Sequence, residues 1–269
     1  MSIAKGLILL IFLVMFFIII ALKRENLKQK DFFIKTLSHD FRVATLAQLR
    51  GIEILSKSIN FDTKQAELIN EIDKSCRYSL DMISMLMNTY LFEKGKQIVN
   101  FENFMLCEVF NTIFKTVENQ LKEKNIDLFF DLDNSLRINM DKNLTFKLIL
   151  NLITTAISYA ESNSIIKLNS KINNNNLWEF NITYCGKPLS EEECGRMFSC
   201  KTHFSTVGHG IKMYFCKKIV DFHKGKIFVK NFSEKLNSFT FYIPQKQKNN
   251  IPKSLAIIGF ESDKLPSNV

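Results

Sequence analysis

The stretch Lys35-Thr36-Leu37-Ser38-His39-Asp40-Phe41-Arg42-Val43 lies inside a long periodic pattern. Ile34, Leu37, Phe41, Ala44, Ile52, Leu55 and Ile59 recur at steps of three and four, with Gln48 as one polar interruption. That spacing predicts an amphipathic helix. Leu37 and Phe41 straddle His39, so with the apolar pair facing a partner helix the imidazole turns to solvent. An outward imidazole on a rigid helix, with the Asp40 carboxylate adjacent, suits a nucleophile whose basicity the neighbour tunes. Taken locally, the same pattern also describes an ordinary surface histidine.

Working outward, residues 25–58 and 64–93 read as two helices joined by Ser58-Ile59-Asn60-Phe61-Asp62-Thr63. Asp62 or Thr63 supplies the cap of the second. Its stripe is Leu68, Ile72, Cys76, Leu80, Ile83, Leu86 and Tyr90. One hairpin cannot bury both stripes, and pairing two hairpins into a four-helix bundle would; a homodimer is therefore expected. Gly95 ends the second helix. From Lys96 the period changes. A strand is expected near 97–101, a helix over 106–124, strands near 126–131 and 136–139, and a helix over 141–160. Strands at 164–172 and 177–183 flank the turn Asn173-Asn174-Asn175-Asn176. An irregular segment covers 185–207, a helix 209–223, and strands 225–230 and 237–243. Mixed strands with helices on one face make an α+β sandwich. The tail at 246–269 receives no assignment.

Gly6 to Leu22 is an uncharged run of 17 residues. It reads as a membrane anchor in residues 1–24, although its rise of roughly 25 Å is a little short of a hydrocarbon core of about 30 Å. Snorkelling by Lys5, Lys23 and Arg24 would close the gap. A cleaved signal peptide is the competing reading, but no small-residue cleavage site follows. Lys23, Arg24, Lys28 and Lys30 on one flank against Lys5 on the other place the body in the cytoplasm, on a single-pass anchor in the inner membrane. The net charge is +9. It carries no groove-reading motif, so no nucleic-acid partner is expected. The six cysteines form no compact framework and read as free thiols. Cys185, Cys194, Cys200, His203 and His209 match no zinc-finger or ribbon spacing, and no metal centre is assigned to them.

Ser38-His39-Asp40-Phe41-Arg42 resembles the H-box of sensor histidine kinases of two-component systems. Gly208-His209-Gly210-Ile211, followed by Lys217-Lys218-Ile219-Val220-Asp221-Phe222-His223-Lys224-Gly225-Lys226-Ile227, is similar to that family's glycine box and the helix after it. The resemblance runs in the family's order over roughly 25–244. After the anchor read at 1–24, it implies a dimerisation and histidine-phosphotransfer hairpin (25–95) and an ATPase-like domain (96–245). It also implies ATP and Mg2+ as cofactors, phosphoryl transfer to His39 with Asp40 assisting, and a cytoplasmic response regulator as partner. Asn151 matches the first Asn of the family's Asn-bearing helix, while Thr155 stands at the usual magnesium ligand. In Tyr184-Cys185-Gly186-Lys187-Pro188, set against the family's Asp-x-Gly-x-Gly, Gly186 is kept. Tyr184 replaces the Asp that reads adenine, and Pro188 replaces the second Gly. Gly208 and Gly210 match the last box, with Lys212 where another Gly is usual. Val43 and Ala44 replace the family's Thr or Asn and its frequent Pro. The nucleotide site is thus read as degenerate. The alternative is a pseudokinase or phosphorelay scaffold that docks a regulator with little or no autophosphorylation of its own.

Overall fold

A computed structural model describes residues 2–59, 61–133, 135–199, 209–232 and 235–245, with the side chains of 2–24, 26–28 and 209 outside that description. Two long helices, α1 (Ser2–Ser58) and α2 (Thr63–Glu93), form an antiparallel hairpin. Asp62 caps α2: its carboxylate accepts from the Gln65 N–H, and the Gln65 side chain returns the bond to the Asp62 N–H. At the far end Gly95 takes φ +63°, the left-handed conformation that terminates a helix without Cβ strain.

The seam of the hairpin differs from the expected stripe. Ser38, Thr45 and Ile52 of α1 are buried against α2, seven residues apart, whereas Leu37 is 40% and Phe41 53% exposed. A spacing of seven keeps one side of α1 on a nearly antiparallel neighbour. Cys76 is the buried counterpart on α2, and its thiol donates to Gln48 Oε1 at 3.8 Å. The residue that interrupts the apolar pattern therefore has a polar partner.

The anchor and the membrane location it implied are corrected here. Among the described residues no helix is long and apolar enough to cross a membrane. The run at 6–22 is the leading part of α1 and passes without a break into the hairpin. Its rise falls short of a hydrocarbon core, and Lys23, Arg24, Glu25, Lys28, Lys30 and Asp31 follow it directly on the same helix.

The second unit comprises β1 (Glu102–Met105), α3 (Leu106–Lys124), β2 (Asp127–Leu132), β3 (Arg137–Met140), α4 (Lys142–Tyr159), β4 (Ile165–Ile172), β5 (Leu177–Cys185), α5 (Glu191–Arg196), α6 (His209–Phe222), β6 (Lys226–Asn231) and β7 (Leu236–Pro244). Five strands form one sheet in the order β2-β4-β5-β7-β6, with β2 and β4 parallel and the other pairs antiparallel. β1 and β3 make a separate antiparallel pair. Alternation along β5 points Trp178, Phe180, Ile182 and Tyr184 to one side, all fully buried. Helices α3, α4 and α6 supply the rest of that core through Phe110, Ile113, Leu148, Ile149, Phe215 and Ile219. This is the expected α+β sandwich. The tail at 246–269 lies outside the described residues.

The two units meet where α6 packs on α2. Phe92 sits 6.2 Å from the Phe215 ring and 5.4 Å from the Phe222 ring. Glu93 accepts from the Tyr214 hydroxyl at 2.5 Å and pairs with Lys218 at 3.5 Å.

Candidate functional site

His39 stands on the solvent side of α1, its side chain 74% exposed. Its Nδ1 lies 3.2 Å from Asp40 Oδ1. If Nδ1–H donates to the carboxylate, the remaining nitrogen, Nε2, keeps its lone pair and points outward. The Phe41 carbonyl one turn along is taken by the Thr45 hydroxyl at 2.8 Å. Val43, at the position expected to orient water, is 53% exposed and offers no hydrogen-bonding group.

A second constellation gathers on α4 and the end of β5. Helix α4 is pinned at both ends. Asp141 caps its start, accepting from the Leu144 N–H, and also accepts from the Asn100 N–H, each at 2.9 Å. Lys124 closes the other end: its ammonium donates to the carbonyls of Ile157 at 2.8 Å, Ser158 at 2.9 Å and Ala160 at 3.1 Å, where the helix ladder runs out. Asn151 is buried on this helix with its amide nitrogen 4.0 Å from Met85 Sδ of α2. Thr155 is fully buried and its hydroxyl donates to the Asn151 carbonyl at 2.7 Å. A buried hydroxyl bound to its own helix is poorly disposed as a metal ligand.

Gly186 follows β5 and bridges to Ala160 just past α4. A Cβ there would stand 2.3 Å from the Tyr159 carbonyl oxygen, so only glycine permits this approach. Its N–H donates to Lys235 O at 2.8 Å, and the Glu161 N–H donates to Cys185 O at 2.9 Å. Tyr184 packs its ring 5.5 Å from Phe239. Its hydroxyl is buried without a hydrogen-bond partner among the described residues, beside Tyr159 and Cys194. Burial drives that phenol far above its usual range, so it is neutral at any physiological pH. The orphaned Tyr184 hydroxyl suits a polar ligand atom; the close approach at Gly186 is strand against helix, and the Thr155 hydroxyl does not suit magnesium.

Gly210 lies in the first turn of α6, while Gly208, Cys200 and His203 lie outside the described residues. Lys212 is directed to α2, with Nζ 5.2 Å over the Tyr78 ring. Burial lowers its pKa, an effect that Asp81 partly offsets. Among the described residues no group of three or more His, Cys, Asp or Glu side chains could hold a metal ion.

Sequence reasoning missed the Lys124 cap and a cluster at the top of the hairpin. Asp31 accepts from the Tyr90 hydroxyl and pairs with Lys94 at 3.1 Å and Lys96 at 3.4 Å. The Tyr90 bond, reinforced by the two lysines, holds the Asp31 carboxyl down to about 2. Asp31, the second of two acids within the basic stretch 23–35, was the available signal.

Residues 140–247 match the model of the histidine kinase-, DNA gyrase B- and HSP90-like ATPase family. The chain is 24% identical over 234 residues to the adaptive-response sensory kinase SasA of Crocosphaera subtropica, covering 82% of this chain and 61% of that one. Full-length ShkA, solved with AMPPNP, is similar in fold with a TM-score of 0.65 and 16% identity, over 78% of this chain and 45% of that one. Histidine kinase ThkA, solved in complex with the response regulator protein TrrA, gives a TM-score of 0.54 and 24% identity, over 82% and 64%. The chain spans only 11%, 61% and 64% of the lengths of three curated relatives, all of them kinases by name.

Proposed function

From a chain that is a homologue of sensor histidine kinases, with residues 140–247 as their ATPase domain, we propose autophosphorylation of His39 from ATP and onward transfer to an aspartate of a response regulator. The observation that carries this reading is the 3.2 Å contact of His39 Nδ1 with Asp40 on an otherwise open helix face. Asp40 holds the proton on Nδ1 and stabilises the positive charge that develops on the ring. Nε2 forms the new N–P bond to the terminal phosphorus. The bond from that phosphorus to the bridging oxygen breaks, and the departing diphosphate keeps the electron pair.

The α4–β5 site would hold the nucleotide through Asn151, Tyr184 and Gly186, with Gly208 and Gly210 towards the phosphates; Lys212, directed to α2 over the Tyr78 ring, is given no such role. Magnesium, when bound with the nucleotide, would neutralise phosphate charge; no step here relies on Thr155 as its ligand. Exposed Leu37, Phe41, Leu55, Leu68, Ile72 and Leu86 supply an apolar surface that suits a second copy of the hairpin, completing a four-helix bundle.

A second reading is favoured by the buried Thr155 and by the Asn151 amide lying against Met85. In it the nucleotide half is weak, and His39 relays phosphate received from a partner. Incubation of the chain with γ-labelled ATP separates the two. Acid-labile label that disappears in His39→Gln is the expected result for the kinase. Label reaching His39 only from a phosphorylated regulator favours the relay, and label retained in His39→Gln refutes both.

A further inference from the structure

The proposed function places Tyr184 at the nucleotide but gives its hydroxyl no defined role. It is fully buried, on the helix-facing side of β5, beside Tyr159 of α4 and Cys194 of α5. The described residues offer it no hydrogen bond. Buried polar groups are nearly always paired, and an orphan is unfavourable unless a ligand or water completes it. Two residues on, Gly186 lets the backbone approach α4 more closely than any side chain would permit.

The chemistry of the group sets what it can recognise. A carboxylate only accepts hydrogen bonds, so where it meets the 6-position of a purine it selects the amino group of adenine over the carbonyl of guanine. A neutral phenol both donates and accepts. It accepts from the amino group of adenine, donates to an adenine ring nitrogen, or donates to the 6-carbonyl of guanine. We propose that Tyr184 is the base-contacting residue of the nucleotide site, and that its hydroxyl admits guanine as readily as adenine, so that GTP and ATP bind comparably. The proposal rests on the reading of the α4–β5 site as a nucleotide site.

The test is calorimetric titration of the full chain with ATP and with GTP, each with magnesium, for wild type, Tyr184→Phe and Tyr184→Asp. Wild type is expected to bind the two nucleotides within about threefold of each other, a difference smaller than one hydrogen bond makes. Tyr184→Phe should weaken both by about 2- to 10-fold, the loss of one hydrogen bond. Tyr184→Asp should favour ATP by about tenfold or more, the size of discrimination an unpaired polar group imposes.

Because the hydroxyl has no partner in the fold, Tyr184→Phe is also expected to leave the thermal midpoint unchanged or raise it. A lowered midpoint would show a structural partner and overturn the proposal without recourse to Tyr184→Asp. Wild type that prefers ATP by about tenfold or more, the discrimination expected of the carboxylate, overturns this inference while leaving the nucleotide site intact. Wild type that binds neither nucleotide overturns both.

Discussion

Replacing Gly186 by alanine tests whether the end of β5 is clamped to α4 as closely as described. The added Cβ would lie 2.3 Å from the Tyr159 carbonyl oxygen, 3.2 Å from its carbonyl carbon and 3.5 Å from the Ala160 Cα. All three are backbone atoms, and α4 is held at both ends, by Asp141 and by Lys124. Relief therefore has to come from parting strand and helix by about 1 Å, the gap between that contact and van der Waals separation. Overpacking of this kind costs about 1–3 kcal/mol. Two bonds are strained with it, Gly186 N–H to Lys235 O at 2.8 Å and Glu161 N–H to Cys185 O at 2.9 Å, each contributing about 1 kcal/mol. The expected loss is about 3 kcal/mol, or about 6–12 °C in melting temperature for a domain of this size. Gly195 is the matched control: it lies within α5 with nothing within 4 Å of an added Cβ. There alanine should be neutral or stabilise by up to about 1 kcal/mol through helix propensity. Urea denaturation at unchanged m-value measures both. Equal midpoints for the two alanine variants would refute the clamp.

Lys124→Met strips the closing ammonium from three carbonyls at the end of α4 and should cost about 1–3 kcal/mol, read by the same denaturation; no shift would mean that water serves those carbonyls equally well. The carboxyl of Asp31 has a folded pKa of about 2, below an unfolded value near 3.9. Its contribution is therefore complete above about pH 4 and is lost as pH falls towards 2. Hydrogen exchange of the amides of residues 90–96 should accordingly stay slow from neutral pH down to about pH 4 in wild type, beyond the intrinsic pH trend. In Asp31→Asn it should be fast throughout, and a variant protected as well as wild type would show that Asp31 holds nothing there.

Elements whose pattern repeats locally were legible in the sequence. The 106–124 helix, the asparagine turn between β4 and β5, and the alternation that buries Trp178 through Tyr184 needed only period and turn chemistry. The first strand was expected at 97–101 and forms at Glu102–Met105, because its position is fixed by the register Glu102↔Met140 with β3, a partner distant in sequence. Helix α5 was read as irregular, although Ser190 and Glu193 make a capping box that the sequence does display. The hairpin seam was misjudged because two of its three buried positions on α1, Ser38 and Thr45, carry hydroxyls, while the apolar Leu37 and Phe41 are exposed. Periodicity follows apolar residues and passes over a seam of this kind. The exposed His39 and its contact with Asp40 involve neighbouring residues and so could be read from a local motif. The orphaned Tyr184 hydroxyl, the Asn151 amide against Met85 and the Lys124 cap all depend on which side chains meet in space, and nothing in a linear spacing encodes that.

The last turn of α2 has two obligations. Tyr90, Lys94 and Lys96 hold Asp31 of α1, while Phe92 and Glu93, between them in sequence, hold α6 through Phe215, Phe222, Tyr214 and Lys218. Seven consecutive residues thus act as an axle with a gear on either side. A twist applied to the first helix has no slack in which to dissipate: it either strips the Asp31 teeth or turns the ATPase domain against the hairpin.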